Sequence, residues 1–258
     1  MPSRRRETVY PPVIGLAKLV FKGLGIRFDI TGTENVPATG GAVMAINHTG
    51  YLDFTFAGLT TLKAKRLVRF MAKKEVFDHK VSGPLMRGMH HIAVDRASGA
   101  ESYQAAVKAL TEGEIIGVFP EATISQSYDL KEFKTGAVRM AMESGTPILP
   151  CLIWGSQRIF TKGRKKDLRR GAHVRIVLGE LYTPDPAGDA VAATAELKSR
   201  MDALLQHARA TYQGRPYDES DTWWVPASMG GTAPTLPEAA RLDAEERERR
   251  AAKRAARS

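Results

Sequence analysis

A single cysteine, Cys151, occurs in 258 residues. That excludes a disulfide framework and any zinc site built on paired thiolates. Long apolar runs are missing too. Nowhere do about 18 apolar residues follow one another, so a transmembrane helix is not expected. Only 7% of residues are aromatic, and no recognised nucleic-acid-binding motif is present, so recognition of bases lacks support. The G-x-S-x-G elbow of serine hydrolases is absent. Nor is a metal set visible: His90 and His91 are adjacent, and neighbours on a strand point to opposite faces.

What is present is a core-forming composition, 43% hydrophobic and 26% charged, with 38 Lys+Arg against 28 Asp+Glu and a net charge of +10. Such an excess predicts an anionic partner: nucleic acid, a membrane surface or a phosphorylated substrate. The excess is concentrated. Residues 1–28 hold six basic residues against Glu7, 63–74 hold six and no acid, and 158–175 hold eight against Asp167. The rest of the chain is net acidic. After Pro11-Pro12, Val13, Leu16, Ala17, Val20 and Leu24 recur at helical spacing, with Lys18 and Lys22 one turn apart. This pattern predicts a basic amphipathic helix. It either lies in a lipid interface or packs its stripe on its own domain.

Seven short β-rich runs follow, at 26–31, 42–46, 67–71, 91–94, 115–119, 148–153 and 173–178. Helical patterns separate several of them, notably 101–112 and 134–144, with Gly145 at an expected helix stop. The alternation predicts an α/β domain around a mixed, largely parallel sheet flanked by helices. A last amphipathic helix over 189–212 presents Leu197, Met201, Leu204, Leu205 and Ala208 on one face. Residues 226–237 read as a linker, and the charged helix candidate after them as a tail that is either exposed to solvent or disordered. The expected division is a docking segment over 1–28, a catalytic domain over 29–225, and a linker with tail over 226–258.

Chemistry gathers at the ends of predicted strands. Asn47-His48-Thr49-Gly50-Tyr51-Leu52-Asp53 follows the run AVMAI directly. On a regular helix His48 and Asp53 would lie about 140° apart. A turn at Gly50 leading into a helix brings the carboxylate back onto the imidazole. Asp53 then fixes the tautomer and leaves Nε2 free to take a proton. Without a protein nucleophile, such a base suits direct activation of a substrate hydroxyl. Asp95-Arg96 and Phe119-Pro120-Glu121 close two further strands, and the carboxyl edge is where open α/β sheets bind ligands. Lys134 opens a predicted helix, a position suited to an anion.

In this order NHTGYLD (47–53), HHIAVDR (90–96), FPEATIS (119–125) and TPILPC (146–151) resemble the glycerolipid acyltransferase family. That family includes the 1-acylglycerol-3-phosphate acyltransferases. The resemblance spans roughly residues 30–180. It implies His48 as general base and Asp53 as its orienting partner. Arg96 and Lys134 would bind the acceptor phosphate, and Glu121 would position the glycerol. The implied donor is acyl-CoA or acyl-carrier protein, and the acceptor lysophosphatidic acid. No cofactor and no metal are implied. The enzyme would work peripherally on anionic lipid at the cytoplasmic face of the cell membrane, without nucleic acid. The glycine expected before the strand of the second motif is not evident, and three further positions depart from the family pattern. Gly50 replaces a serine, Ala122 a glycine and Ile124 an arginine. The lost arginine opens the alternative of glycerol-3-phosphate or another lysolipid as acceptor. A non-enzymatic binder of anionic membranes or nucleic acid is the remaining alternative.

Overall fold

The computed structural model describes residues 7–95 and 99–255. The first helix, α1 (Tyr10–Gly23), leads into β1 (Arg27–Thr31), β2 (Ala42–Ile46), α2 (Asp53–Thr60) and β3 (Val68–Lys73). Two short helices, α3 (Lys74–Asp78) and α4 (Ser82–Gly88), precede β4 (Ile92–Val94), α5 (Gly99–Thr111) and β5 (Ile115–Val118). The chain closes with α6 (Gly136–Ser144), β6 (Ile148–Trp154), β7 (His173–Leu178), α7 (Ala190–Ala210) and α8 (Leu236–Ala255). All seven predicted strands are present. They form one sheet in the order β1-β7-β6-β2-β5-β3-β4, parallel except for the β6–β7 pair.

Side-chain alternation splits the core into two layers, as a sheet covered on both faces requires. Val43, Ala45, Ile116, Val118 and Leu152 face α5, α6 and α7. Met44, Ile46, Val68, Ile115 and Leu149 face the opposite way, where Phe21 of α1 and Phe56 of α2 meet them. Gly145 ends α6 in a left-handed conformation (φ 63°), where glycine carries no Cβ penalty. Cys151 is fully buried in β6, and burial pushes its thiol up in pKa, as suits an inert core residue.

From β2 the chain continues through α2 to β3 on one half of the sheet. From β5 it continues through α6 to β6 on the other half. The carboxyl ends of β2 and β5 therefore flank a topological switch point, where ligands of open α/β sheets bind.

The first helix docks through one edge of the predicted stripe: Ala17 packs on the core and Val13 and Leu24 are half-buried, while Leu16 and Val20 turn outward. Tyr10 and Phe21 are buried, with Tyr10 Oη donating to the Val68 carbonyl at 2.7 Å and Phe21 5.2 Å from Phe56. Burying Phe21 alone stabilises the contact by roughly 2 kcal/mol. Leu16, Leu19 and Val20 stay exposed. The aromatic side chains decide which face turns inward, because they bury the most area. Among the described residues, no helix is long and apolar enough to cross a membrane.

The basic segments are only partly surface charge. Arg69 pairs with Glu7 and Glu114, Arg158 with Asp221, and Arg175 with Asp29, all three guanidinium groups being buried. The tail also departs from expectation. α8 packs back on the domain with Ala239 and Asp243 buried. Trp224 joins the core cluster beside α7, which anchors the chain before α8.

Candidate active site

The turn after β2 folds as the spacing requires. Residues 47–52 are non-helical, α2 starts at Asp53, and His48 Nδ1 lies 3.1 Å from Asp53 Oδ2. The same oxygen accepts Thr49 N–H and Gly50 N–H, each at 2.8 Å, and Asp53 is fully buried. Its position in the first turn of α2 places the carboxylate where the helix dipole favours negative charge. The imidazole itself keeps 20% of its surface exposed and stacks on Phe119, centroid to centroid 4.1 Å. With Nδ1 turned to the carboxylate, Nε2 is the nitrogen left to exchange a proton.

Both backbone groups of His48 are clamped by the 119–125 loop. Its N–H donates to Glu121 Oε1 at 2.8 Å, and its carbonyl accepts Ser125 N–H at 2.7 Å. Glu121 Oε2 accepts Lys131 N–H at 3.1 Å, so this carboxyl ties two loops together. Burial raises its pKa to about 8, against the opposing hydrogen bonds from the two amides. The backbone amides of His48, Thr49 and Gly50 are thus all committed to carboxyl groups. Asn47, fully buried, makes two hydrogen bonds with the backbone of Ile153 and so carries the β2–β6 pairing past the end of the strand.

The sequence reading missed Ser156. Its Oγ donates to Asp53 Oδ1 at 2.5 Å and lies 3.1 Å from Thr49 Oγ1. A Cβ on Gly50 would stand 3.2 Å from this hydroxyl. Ser156 therefore brings an OH from beyond β6 into the space beside the family's serine position. No local signal marks it, since Asp53 lies 103 residues away.

The other expected site residues divide. Glu121 and Lys134 line one cleft of about 950 Å³ beside the His48 loop, together with Lys73, Lys131, Lys162 and side chains of α8. Arg96 lies outside the described residues. Asp95, at the exit of the edge strand β4, pairs with Lys74 at 3.0 Å. His91 is buried, accepts Phe70 N–H on Nδ1, and is driven down to a pKa of about 4, chiefly by burial. No cluster of three metal-ligating side chains is found among the described residues.

Two departures from the family pattern have visible geometry. Ile124 is buried, so its position offers the cleft no cation. Ala122 is exposed and holds φ at 60°, the left-handed region where a Cβ is strained. Ala122→Gly is expected to stabilise the fold by about 1 kcal/mol, raising Tm by roughly 2–4 °C. A melting curve that stays put or falls would show that the loop carries no such strain.

The 1-acyl-sn-glycerol-3-phosphate acyltransferase of Bacillus subtilis is 34% identical over 182 residues, covering 66% of this chain and 84% of that protein. The family model described as Acyltransferase matches residues 27–154. The chain belongs to the acyltransferase family. A 1-acyl-sn-glycerol-3-phosphate acyltransferase of Borreliella burgdorferi is 32% identical over 144 residues, 54% of this chain and 55% of that protein. The crystal structure of the 1-acyl-sn-glycerophosphate acyltransferase from Thermotoga maritima shares the fold. Its TM-score is 0.66 at 21% identity, over 79% of this chain and 81% of that one. The acyltransferase match ends at β6, so α7 and α8 lie beyond it.

Proposed function

We propose that this acyltransferase moves an acyl group from a thioester, acyl-CoA or acyl-carrier protein, to the free hydroxyl of 1-acylglycerol-3-phosphate, yielding phosphatidic acid. The observation that carries the reading is the Asp53-oriented imidazole of His48 at the switch point of the sheet. Relatives bearing that activity in their names support the choice of acceptor.

In the proposed reaction His48 Nε2 takes the proton of the acceptor hydroxyl as its oxygen attacks the thioester carbonyl. The tetrahedral intermediate collapses with a new C–O bond and a broken C–S bond. The proton on Nε2 passes to the departing thiolate sulfur, so the base is regenerated. Lys134, with Arg96, would hold the acceptor phosphate, and Glu121 would fix the loop that presents His48. Residues 29–225 form the proposed catalytic unit. Residues 1–28 form the docking segment, with Leu16, Leu19 and Val20 toward anionic lipid at the cytoplasmic face of the membrane.

The buried Ile124 favours a second acceptor, glycerol-3-phosphate or another lysolipid. Mass spectrometry of products from purified protein given mixed lyso-acceptors and acyl thioesters tests both. Phosphatidic acid as the main product supports the first; a different dominant ester replaces it.

Ser156 acts in this scheme as a positioning residue. Ser156→Ala is expected to lower kcat about tenfold while leaving both KM values close to the parent's, because the hydroxyl's contacts, with Asp53 and with Thr49 Oγ1, support the base and not the substrates. Equal loss in kcat and in substrate affinity would point to general loosening of the fold instead.

A further inference from the structure

The last helix has the sequence of a solvated charge ladder, with acids and bases interspersed and few apolar side chains. In the folded chain two of its acids turn inward. Asp243 is 8% exposed, and its oxygens accept from different lysines: Oδ2 from Lys131 Nζ and Oδ1 from Lys162 Nζ, each at 2.5 Å. Glu246 of the same helix also pairs with Lys162. Burial opposes the charge on Asp243, but the bonds from Lys131 and Lys162 outweigh it and hold the carboxyl below its ordinary pKa.

Both lysines are rooted in the scaffold of the His48 loop. Lys131 N–H donates to Glu121, whose other oxygen holds His48 N–H. Thr161, next to Lys162, donates its hydroxyl to the Thr49 carbonyl at 2.6 Å. Lys131 and Lys162 line the same cleft as Lys134. The lysine pair is thus built onto the site, and α8 lies over it.

Charge decides what else fits there. Asp243 and Glu246 bring two negative charges, close to the value of about −1.5 to −2 that a phosphate monoester carries near neutral pH. One carboxylate bridging two ammonium groups, one oxygen to each, is a geometry that two phosphate oxygens can reproduce. With isoleucine at position 124, a phosphate in this cleft needs cations from elsewhere, and Lys131 and Lys162 are in place.

We propose that Lys131 and Lys162 join Lys134 in the seat for the acceptor's phosphate, and that Asp243 and Glu246 fill their part of it until the acceptor displaces α8. The helix then serves as a latch. It is held chiefly by ion pairs, with Ala239 its main buried apolar contact, so exchange of one anion for another frees it. This deepens the acceptor assignment above and rests on it.

The test uses the full chain with 1-acylglycerol-3-phosphate and acyl-CoA. The double variant Asp243→Asn/Glu246→Gln is expected to lower the acceptor KM about fivefold and leave the donor KM in place, since the competing anion is gone. Adding Lys131→Gln/Lys162→Gln to that neutralised variant is expected to raise the acceptor KM about tenfold. In parallel, glycerol 3-phosphate added to the parent chain is expected to speed amide hydrogen exchange across 236–249. An unchanged or higher KM in the neutralised variant would mean that α8 is merely docked. Lysine replacements that are silent in that background, or α8 exchange unmoved by glycerol 3-phosphate, overturn the seat equally. Absence of any transfer to 1-acylglycerol-3-phosphate would remove the acceptor assignment, while the exchange experiment still judges the seat.

Discussion

His48→Ala is expected to reduce acyl transfer at least about 10³-fold, because a positioned general base contributes on the order of 10²–10⁴ and no other imidazole joins this site. The fold should survive. The ring is partly exposed, its contacts being Asp53 and the face of Phe119. Asp53 keeps three further donors after the substitution: Thr49 N–H, Gly50 N–H and the Ser156 hydroxyl. A thiol-release assay beside a melting curve separates loss of chemistry from loss of structure. Turnover within tenfold of the parent in a folded variant would refute the base assignment.

Asp53→Asn follows in size, with an expected loss in kcat on the order of 10³–10⁴-fold, by analogy with the same exchange in serine-protease triads. The amide has one acceptor where the carboxylate has two, and it turns an NH₂ toward groups that already donate. Either its oxygen meets the imidazole and the Ser156 hydroxyl loses its acceptor, or the reverse. The tautomer and the imidazolium lose their support together. Because Asp53 is fully buried, some stability is lost as well, so kcat is to be read at a temperature where the variant is folded. A variant that keeps most of its kcat would make Asp53 a structural carboxylate.

The strands were legible because each is a short β-branched run closed by a turn, a pattern that survives whatever packs on it. The fold-back of Asp53 onto His48 was legible for a similar reason: one glycine turn and five residues enclose the whole interaction. Ser156 was not, since its partner is distant in sequence and a serine after a strand has many ordinary uses. The destination of α8 was hidden differently. Asp243 and Glu246 have basic neighbours at helical spacing, so the ladder is self-consistent in solvent, and nothing local says that Lys131 and Lys162 compete for it. The basic clusters misled in part for the same reason, because Arg69, Arg158 and Arg175 look like surface charge until their distant acids are known. On α1 the periodicity marked a helix, while two aromatic residues outside the stripe chose the face that docks.

The contact between Phe21 and Phe56 has a geometric consequence. Phe56 stands one turn along the helix that Asp53 opens, and Tyr10 is fastened to the backbone of β3. The bare side chains of Leu16, Leu19 and Val20 are therefore mechanically continuous with the imidazole. Were these three side chains to rest on lipid, as proposed above, His48 would stand at a set height over that plane. Choice of acceptor would then be in part a matter of depth, with the rigid link as its gauge.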